Sequence, residues 1–294
     1  MKTAVILNPT AGQGKPGASI EILKQSLNCC GIDCDILFTE KEGDGSILAR
    51  EAANRGYDTV VAVGGDGTVN EIINGLAGTG VKLGLIPVGS VNVLAKDMGI
   101  PLDLRKAVTV LAAGNVKEID LGVANGRYFA MMAGIGFDAE VVADVFRPVK
   151  DLIGASAYVF KGLEKLATYQ ATDVVIEMPE ETYSGKAFLV VVGNLSSYAW
   201  SVKVTPDAVP DDGLLNICVF ERPFTDRLGF IHHIADVFVQ RHAYHDEIKF
   251  FSTTRALIKS NPDVMMQIDG ELFGTTPADI SVISRALPLI VPGG

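Results

Sequence analysis

Thr59-Val60-Val61-Ala62-Val63-Gly64-Gly65-Asp66-Gly67-Thr68-Val69-Asn70-Glu71-Ile72-Ile73-Asn74-Gly75-Leu76 is the stretch whose reading decides the fold. Residues 59–63 form a run rich in apolar, β-branched side chains, the pattern of a strand buried on both faces. Val69, Ile72, Ile73 and Leu76 then repeat at i, i+3, i+4 and i+7, which is one face of a helix ending near Gly78. The turn Gly64-Gly65-Asp66-Gly67-Thr68 joins the two. A helix start presents unpaired N–H groups and partial positive charge, so it attracts anions. Glycines let backbone approach a phosphate closely. Thr68 is placed to cap the helix or to hydrogen-bond a phosphate oxygen. Asp66 carries the same sign of charge as phosphate. Its expected work is to order Mg²⁺ or water, or to handle a proton.

Outward from this stretch, strand and helix patterns alternate. Residues 3–7 and 34–38 read as strands, and residues 83–86 as another. Residues 18–27, 46–55 and 91–98 read as helices, the last two stopped by Gly56 and Gly99. Apolar strands separated by helices indicate a parallel α/β sheet. Past Leu121 the pattern changes. Strands are expected near 128–133, 173–178, 187–193, 214–220, 248–252, 256–260, 264–268 and 279–284, with helices only near 150–169 and 226–240. That density of strands and turns suggests a β-sandwich. The expected organisation is an α/β domain followed by a β-sandwich domain, with the boundary near residues 121–126.

Bulk properties narrow the function. The 294 residues are 48% hydrophobic and 20% charged, as in a globular chain long enough for two domains. With 35 acidic and 25 basic residues the net charge is −10, which argues against nucleic-acid binding and against strong electrostatic docking on anionic membranes. No apolar run approaches the ~18 residues a membrane span needs, and the run before Asn8-Pro9 is too short for a signal-peptide core. A cytoplasmic protein is expected. Cys29, Cys30 and Cys34 cluster without a histidine nearby, and His242 and His245 lack a partner cluster, so neither group reads as a metal site.

Two further turns share the character of the first. Residues 83–87 run into Gly89-Ser90-Val91-Asn92, which echoes Gly67-Thr68-Val69-Asn70. The first strand runs into Asn8-Pro9-Thr10-Ala11-Gly12. In an open parallel sheet all three turns lie at the carboxyl edge, where ligands bind. Neither a P-loop nor a dinucleotide fingerprint is present, and Lys15 reads equally as a phosphate contact or a solvated loop residue.

These turns resemble motifs of the diacylglycerol-kinase catalytic-domain family, which includes bacterial lipid kinases and the sphingosine and ceramide kinases. The resemblance runs in order through Asn8-Pro9-Thr10-Ala11-Gly12, Gly64-Gly65-Asp66-Gly67-Thr68-Val69-Asn70-Glu71, Pro87-Val88-Gly89-Ser90-Val91-Asn92-Val93-Leu94-Ala95, Gly134-Ile135-Gly136-Phe137-Asp138-Ala139 and Asp269-Gly270-Glu271. It implies an ATP-binding α/β domain over residues 1–122, a lipid-side β-sandwich over residues 123–285, a last strand near 287–291 by which residues 286–294 return to the first domain, and an active site in the interdomain cleft. It places nucleotide contacts at Asn8, Pro9, Thr10, Ala11, Gly12, Thr39, Gly64, Gly65, Asp66, Gly67, Thr68, Val69, Asn70 and Ser90. It offers two competing bases, Glu271 as in bacterial members and Asp66 as in sphingosine kinases. Glu271 is favoured, because it follows a strand of the other domain and can face the acceptor, with Asp66 organising metal or water. It also implies a structural Mg²⁺ held by Asp212 with backbone oxygens of Val209 and Leu214. Ser90, Ala11 and Val93 depart from the commoner threonine, serine and aspartate, and Val93 leaves the lipid's identity open.

The expectation is an ATP- and Mg²⁺-dependent lipid kinase acting at a membrane surface through peripheral contact, with a homodimer as an allowed assembly. Residues 145–149 and Tyr198-Ala199-Trp200 are candidate apolar entrances for the lipid. NAD kinase is the rival enzyme, and a non-catalytic nucleotide-binding regulator is the rival of another class.

Overall fold

In the computed structural model, residues 2–11, 16–144, 169–198, 202–221 and 248–293 are described. The helices expected near 150–169 (Tyr169 apart) and 226–240 fall outside them. So do residues 145–149, Ala199, Trp200, His242, His245, Gly12 and Lys15. The chain divides into one unit of Met1–Leu121 with Ile283–Gly294 and a second of Gly122–Val282.

The first unit is a parallel sheet covered by helices. Its elements run β1 (Thr3–Leu7), α1 (Pro16–Cys29), β2 (Cys34–Phe38), α2 (Asp44–Asn54), β3 (Thr59–Gly64), α3 (Asp66–Leu76), β4 (Lys82–Pro87), α4 (Val93–Asp97) and α5 (Leu104–Ala113). Strand order is β2-β1-β3-β4, all parallel, with Leu289 of the final strand beside Leu83 of β4. β1 and β3 are fully buried, as two-sided cover requires. Val5, Leu7, Val61 and Val63 point into a core closed by Leu23 and Leu27 of α1 and by Ala107, Val108 and Leu111 of α5. α2 and α3 pack together over β1 and β3.

The order matters for function. From β1 the chain crosses to β2 on one side, then returns past β1 to β3 on the other. The crossovers beside β1 and β3 therefore lead in opposite directions. Such a switch point leaves a crevice at the carboxyl ends of the two strands, the general ligand position of open α/β sheets.

The second unit is a sandwich of antiparallel sheets. Between the units the chain passes along β5 (Val116–Ala124), followed by β6 (Arg127–Phe129), β7 (Met132–Gly136) and α6 (Phe137–Asp144). β8 (Thr172–Glu177), β9 (Thr182–Ala187), β10 (Leu189–Gly193), β11 (Leu215–Phe220), β12 (Ile248–Thr253), β13 (Arg255–Asn261), β14 (Met265–Ile268), β15 (Glu271–Thr275) and β16 (Ala278–Ile290) follow. One sheet runs β12-β11-β10-β7-β14-β15. The other carries β13 between β16 and β8, with β9 outermost. Inward residues of both sheets, among them Phe129, Ile176, Val192, Ile217, Ile258, Met266 and Ile280, form one core.

Several elements differ from the sequence expectation. The run expected as one strand at 128–133 is split into β6 and β7. β9 and β15 were unforeseen, because Thr182-Tyr183-Ser184-Gly185-Lys186 is half-exposed and mostly polar, and Glu271-Leu272-Phe273-Gly274-Thr275 is short, half-exposed and interrupted by a glycine. α5 and β5 were also unforeseen. The stretches expected as separate strands at 279–284 and near 287–291 are one 13-residue strand, β16, in which Arg285 takes φ 50° and its N–H donates to Asp120 Oδ1 at 2.7 Å. Among the described residues no helix is long and apolar enough to cross a membrane.

Candidate active site

The switch point carries Asn8, one residue past β1, and the glycine turn past β3. Asn8 uses both ends of its amide. Its Nδ2 donates to Thr68 Oγ1 at 3.1 Å, and its Oδ1 accepts from the backbone N–H and hydroxyl of Thr10 at 3.0 and 2.8 Å. The Asn8 N–H donates to Val63 O at 3.0 Å, and the Thr39 N–H to Leu7 O at 3.0 Å. Asn8 thus ties the first turn to the first turn of α3, and Thr39 closes the end of β2 beside them. Pro9, Thr10 and Ala11 remain on the accessible side.

Gly64, Gly65, Asp66, Gly67, Thr68 and Val69 make the strand-to-helix turn. α3 starts at Asp66, and its Gly65 N-cap has no side-chain cap, so its first N–H groups are not consumed by one. The third turn lies directly against it. A Cβ on Gly89 would stand 2.5 Å from Gly65 Cα, closer than carbon atoms can pack, so only glycine allows this approach. Asn92, at φ 54°, accepts from Gly89 N–H at 3.1 Å and donates to Gly89 O at 2.6 Å, which closes the turn that presents exposed Ser90.

Asp66 joins the two glycine turns. Its Oδ2 accepts from Asn92 N–H at 2.9 Å and its Oδ1 from Val93 N–H at 2.7 Å. Burial pushes its pKa up, and the amides of Val93 and Asn92 and the charge of Lys96 pull against that. A carboxylate offers about four acceptor positions, so two remain for water or a metal-bound water. Asn70 is buried on α3, where its side-chain and backbone oxygens accept from Asn74 Nδ2. Glu71 has a task that its motif does not reveal. It accepts from Gly43 N–H and Gly45 N–H at 2.9 Å each, and so caps the start of α2, where left-handed Gly43 supplies no side chain of its own.

Glu271 stands in the second unit, at the head of β15. The preceding Asp269 and Gly270 have φ 48° and 84° and form the two-residue connection between β14 and β15, as an Asp-Gly type I′ turn demands. Asp269 is buried, and its carboxylate accepts from the N–H groups of Ala130, Met131 and Met132 at 3.0, 3.1 and 2.9 Å. Arg127 forms a salt bridge with Glu271 and lies over the ring of Phe273. Arg127 and Gln267 were not foreseen as site residues. Gln267 could have been, because a glutamine buried in the otherwise apolar strand β14 needs a polar partner. Asp212 is exposed, and its Oδ1 accepts from Leu214 N–H at 2.9 Å. Its second oxygen and neighbouring carbonyls are hard donors of the class that suits Mg²⁺. Among the described residues no three His, Cys, Asp or Glu side chains gather into a metal cluster.

Residues 2–124 match the family model described as the diacylglycerol kinase catalytic domain, and residues 131–291 match the YegS C-terminal NAD kinase beta sandwich-like domain. A protein of Staphylococcus saprophyticus named diacylglycerol kinase is 30% identical over 99% of this chain and 95% of its own length. One of Staphylococcus aureus with the same name is 32% identical over 99% of this chain and 92% of its own. The crystal structure of a diacylglycerol kinase from Bacillus anthracis superposes with a TM-score of 0.83 at 27% identity, covering 99% of this chain and 97% of that one. The switch-point turns, the Asp-Gly-Glu hairpin and full-length similarity agree, and the chain belongs to the diacylglycerol kinase catalytic-domain family.

Proposed function

We propose that this protein is an ATP-dependent lipid kinase that transfers the γ-phosphoryl group of Mg·ATP to a hydroxyl of a diacylglycerol-like or sphingoid lipid at a membrane surface. The observation that carries this reading is the joining of the turns after β1, β3 and β4 through Asn8–Thr68 and Asp66–Val93. It gathers uncapped helix N–H groups, the Thr68 hydroxyl and Ser90 around glycine backbone, which is the chemistry that holds a polyphosphate.

In this reading the first N–H groups of α3 and the Thr68 hydroxyl hold phosphate oxygens, while Asn8 orients Thr68. Asp66 keeps the two glycine turns in register and orders a water with its remaining lone pairs. Mg²⁺, when bound, neutralises charge on the phosphate oxygens. The acceptor hydroxyl gives its proton to Glu271 as its oxygen bonds to the γ-phosphorus. The bond from that phosphorus to the bridging oxygen breaks, and ADP leaves with the electron pair. Such a base contributes ~10²–10⁴-fold. The engagement of both Asp66 oxygens by backbone amides favours Glu271 over Asp66 for this step. A structural Mg²⁺ would be held by Asp212 with carbonyl oxygens of Val209 and Leu214.

The test is turnover of γ-labelled ATP with a panel of lipids, with products read by mass spectrometry, for wild type and Glu271→Gln. Phosphorylated lipid from wild type and a loss of ~10²-fold or more in kcat for the variant are expected. NADP formed from NAD with no lipid product refutes the reading in favour of an NAD kinase. ATP binding without any turnover refutes it in favour of a regulator.

A further inference from the structure

Behind the Asp-Gly-Glu hairpin lies a buried polar chain that the mechanism above does not use. Gln267 sits on β14, 1% exposed, and Asp138 on the first turn of α6, 6% exposed. Gln267 Nε2 donates to Asp138 Oδ2 at 2.9 Å, and Gln267 Oε1 accepts from Gly270 N–H at 2.7 Å. The chain therefore ends on the residue before Glu271.

The geometry leaves no freedom in how this amide points. Gly270 N–H is a donor and needs the oxygen end of Gln267. Asp138 Oδ2 is an acceptor and needs the nitrogen end. A glutamine alone could flip, because its two ends are nearly the same size. With Asp138 in place a flip would set oxygen against oxygen and N–H against N–H in a buried site, which costs more than either hydrogen bond contributes. Asp138 thereby selects the orientation that grips the turn.

The backbone makes room for this pair. Gly134 of β7 lies beside Gln267 in the sheet, and a Cβ there would stand 2.0 Å from Asp138 Oδ2 and 2.6 Å from Gln267 Nε2. A side chain at position 134 would displace the contact. Burial pushes the Asp138 pKa up to about 6 against the pull of Gln267 and Tyr198, so the site holds a carboxyl group at an electrostatic cost. An apolar residue would be cheaper if packing were the only purpose.

We propose that Asp138 and Gln267 are positioning residues for the phosphoryl-transfer step. Gln267, oriented by Asp138, holds Gly270 by its N–H while Arg127 holds the Glu271 carboxylate, and together these contacts set where that carboxylate stands. This rests on the reading of Glu271 as the base.

The experiment uses full-length enzyme, Mg·ATP and dioctanoylglycerol in mixed micelles, with kcat and KM for ATP measured per folded protein. Gln267→Glu keeps the acceptor for Gly270 but sets a carboxylate against Asp138. A displacement on the scale of 1 Å costs ~10²-fold, so kcat is expected to fall about 10- to 100-fold, with KM for ATP within about twofold of wild type. Adding Asp138→Asn to that variant restores a donor facing an acceptor, and kcat is expected to recover most of the loss. In a Glu271→Gln background, Gln267→Glu is expected to cause no further fall, because its effect passes through Glu271.

Gln267→Glu with wild-type kcat, absence of rescue by Asp138→Asn in a folded double variant, or a full additional loss in the Glu271→Gln background each overturns the positioning role alone. Should Gln267→Glu fail to fold, recovery of both folding and kcat in the paired variant supports the role, and recovery of folding with kcat still lost overturns it. Unchanged kcat in Glu271→Gln, or a wild type that phosphorylates neither dioctanoylglycerol nor a sphingoid lipid, overturns the base reading and this proposal with it.

Discussion

Asp66→Asn separates a structural tie from a catalytic base. In the wild type both carboxylate oxygens accept backbone N–H groups, from Asn92 at 2.9 Å and Val93 at 2.7 Å. The asparagine side chain keeps one acceptor and turns an NH₂ group toward the other N–H. Losing one hydrogen bond to a charged group removes about 1.5–3 kcal/mol, and the N–H left facing a donor adds about 1–3 kcal/mol. Part of this is offset because a neutral amide is easier to bury than a carboxylate, and burial is the main reason the Asp66 pKa is raised. A net loss of about 2 kcal/mol is expected. At about 2–4 °C per kcal/mol for a chain of this size class, Tm should fall by about 4–8 °C. With the Gly64-Gly65 and Gly89-Ser90 turns no longer in register, ATP affinity should fall as well. Calorimetric melting and ATP titration of the variant measure both. A variant that loses turnover while Tm and ATP affinity stay at wild-type values refutes the argument and makes Asp66 the proton acceptor.

The buried carboxyl of Asp138 gives a pH signature. Its folded pKa of about 6 lies above the unfolded value, so the folded protein binds more protons in between, and stability falls as pH rises from about 4 to above 6. About two units at 1.36 kcal/mol each make about 3 kcal/mol, so urea unfolding should show wild type losing about that much relative to Asp138→Asn between pH 4 and pH 7. Parallel pH curves for the two proteins would refute the assignment. For Gly89→Ala, the new methyl group would stand 2.5 Å from Gly65 Cα and must push the turns apart. ATP titration is expected to show at least a tenfold loss of affinity, and wild-type affinity would refute the close approach as a requirement of the site.

Much of the fold was legible because burial on two faces leaves a plain mark. Residues 59–63 could only satisfy a run of apolar, β-branched side chains by lying inside a covered sheet, and β3 is fully buried. The helix period of Val69, Ile72, Ile73 and Leu76 follows from one helix face meeting that sheet. The Asp269-Gly270 turn was legible too, because few residue pairs accept φ 48° and 84° in succession. β9 and β15 left weaker marks, because strands at a sheet edge are half-exposed and lack a continuous run of buried apolar residues.

What the amino-acid order alone determined is local: which segments are strands or helices, which turns can approach an anion, and which acidic residues sit in them. The partners of those residues were decided by tertiary structure. Asp66 meets Asn92 and Val93, 26 and 27 residues away, and Glu71 meets Gly43 and Gly45, 28 and 26 residues away. Asp138 meets Gln267 across 129 residues. Periodicity reports that a face is buried and not what buries it. A carboxylate in a glycine motif looks the same whether it faces a phosphate, a helix start or a neighbouring turn. Only the strand order β2-β1-β3-β4, which brings the ends of β1 and β3 side by side, and the hydrogen bonds it permits distinguish a side chain that shapes the turn from one left free for chemistry.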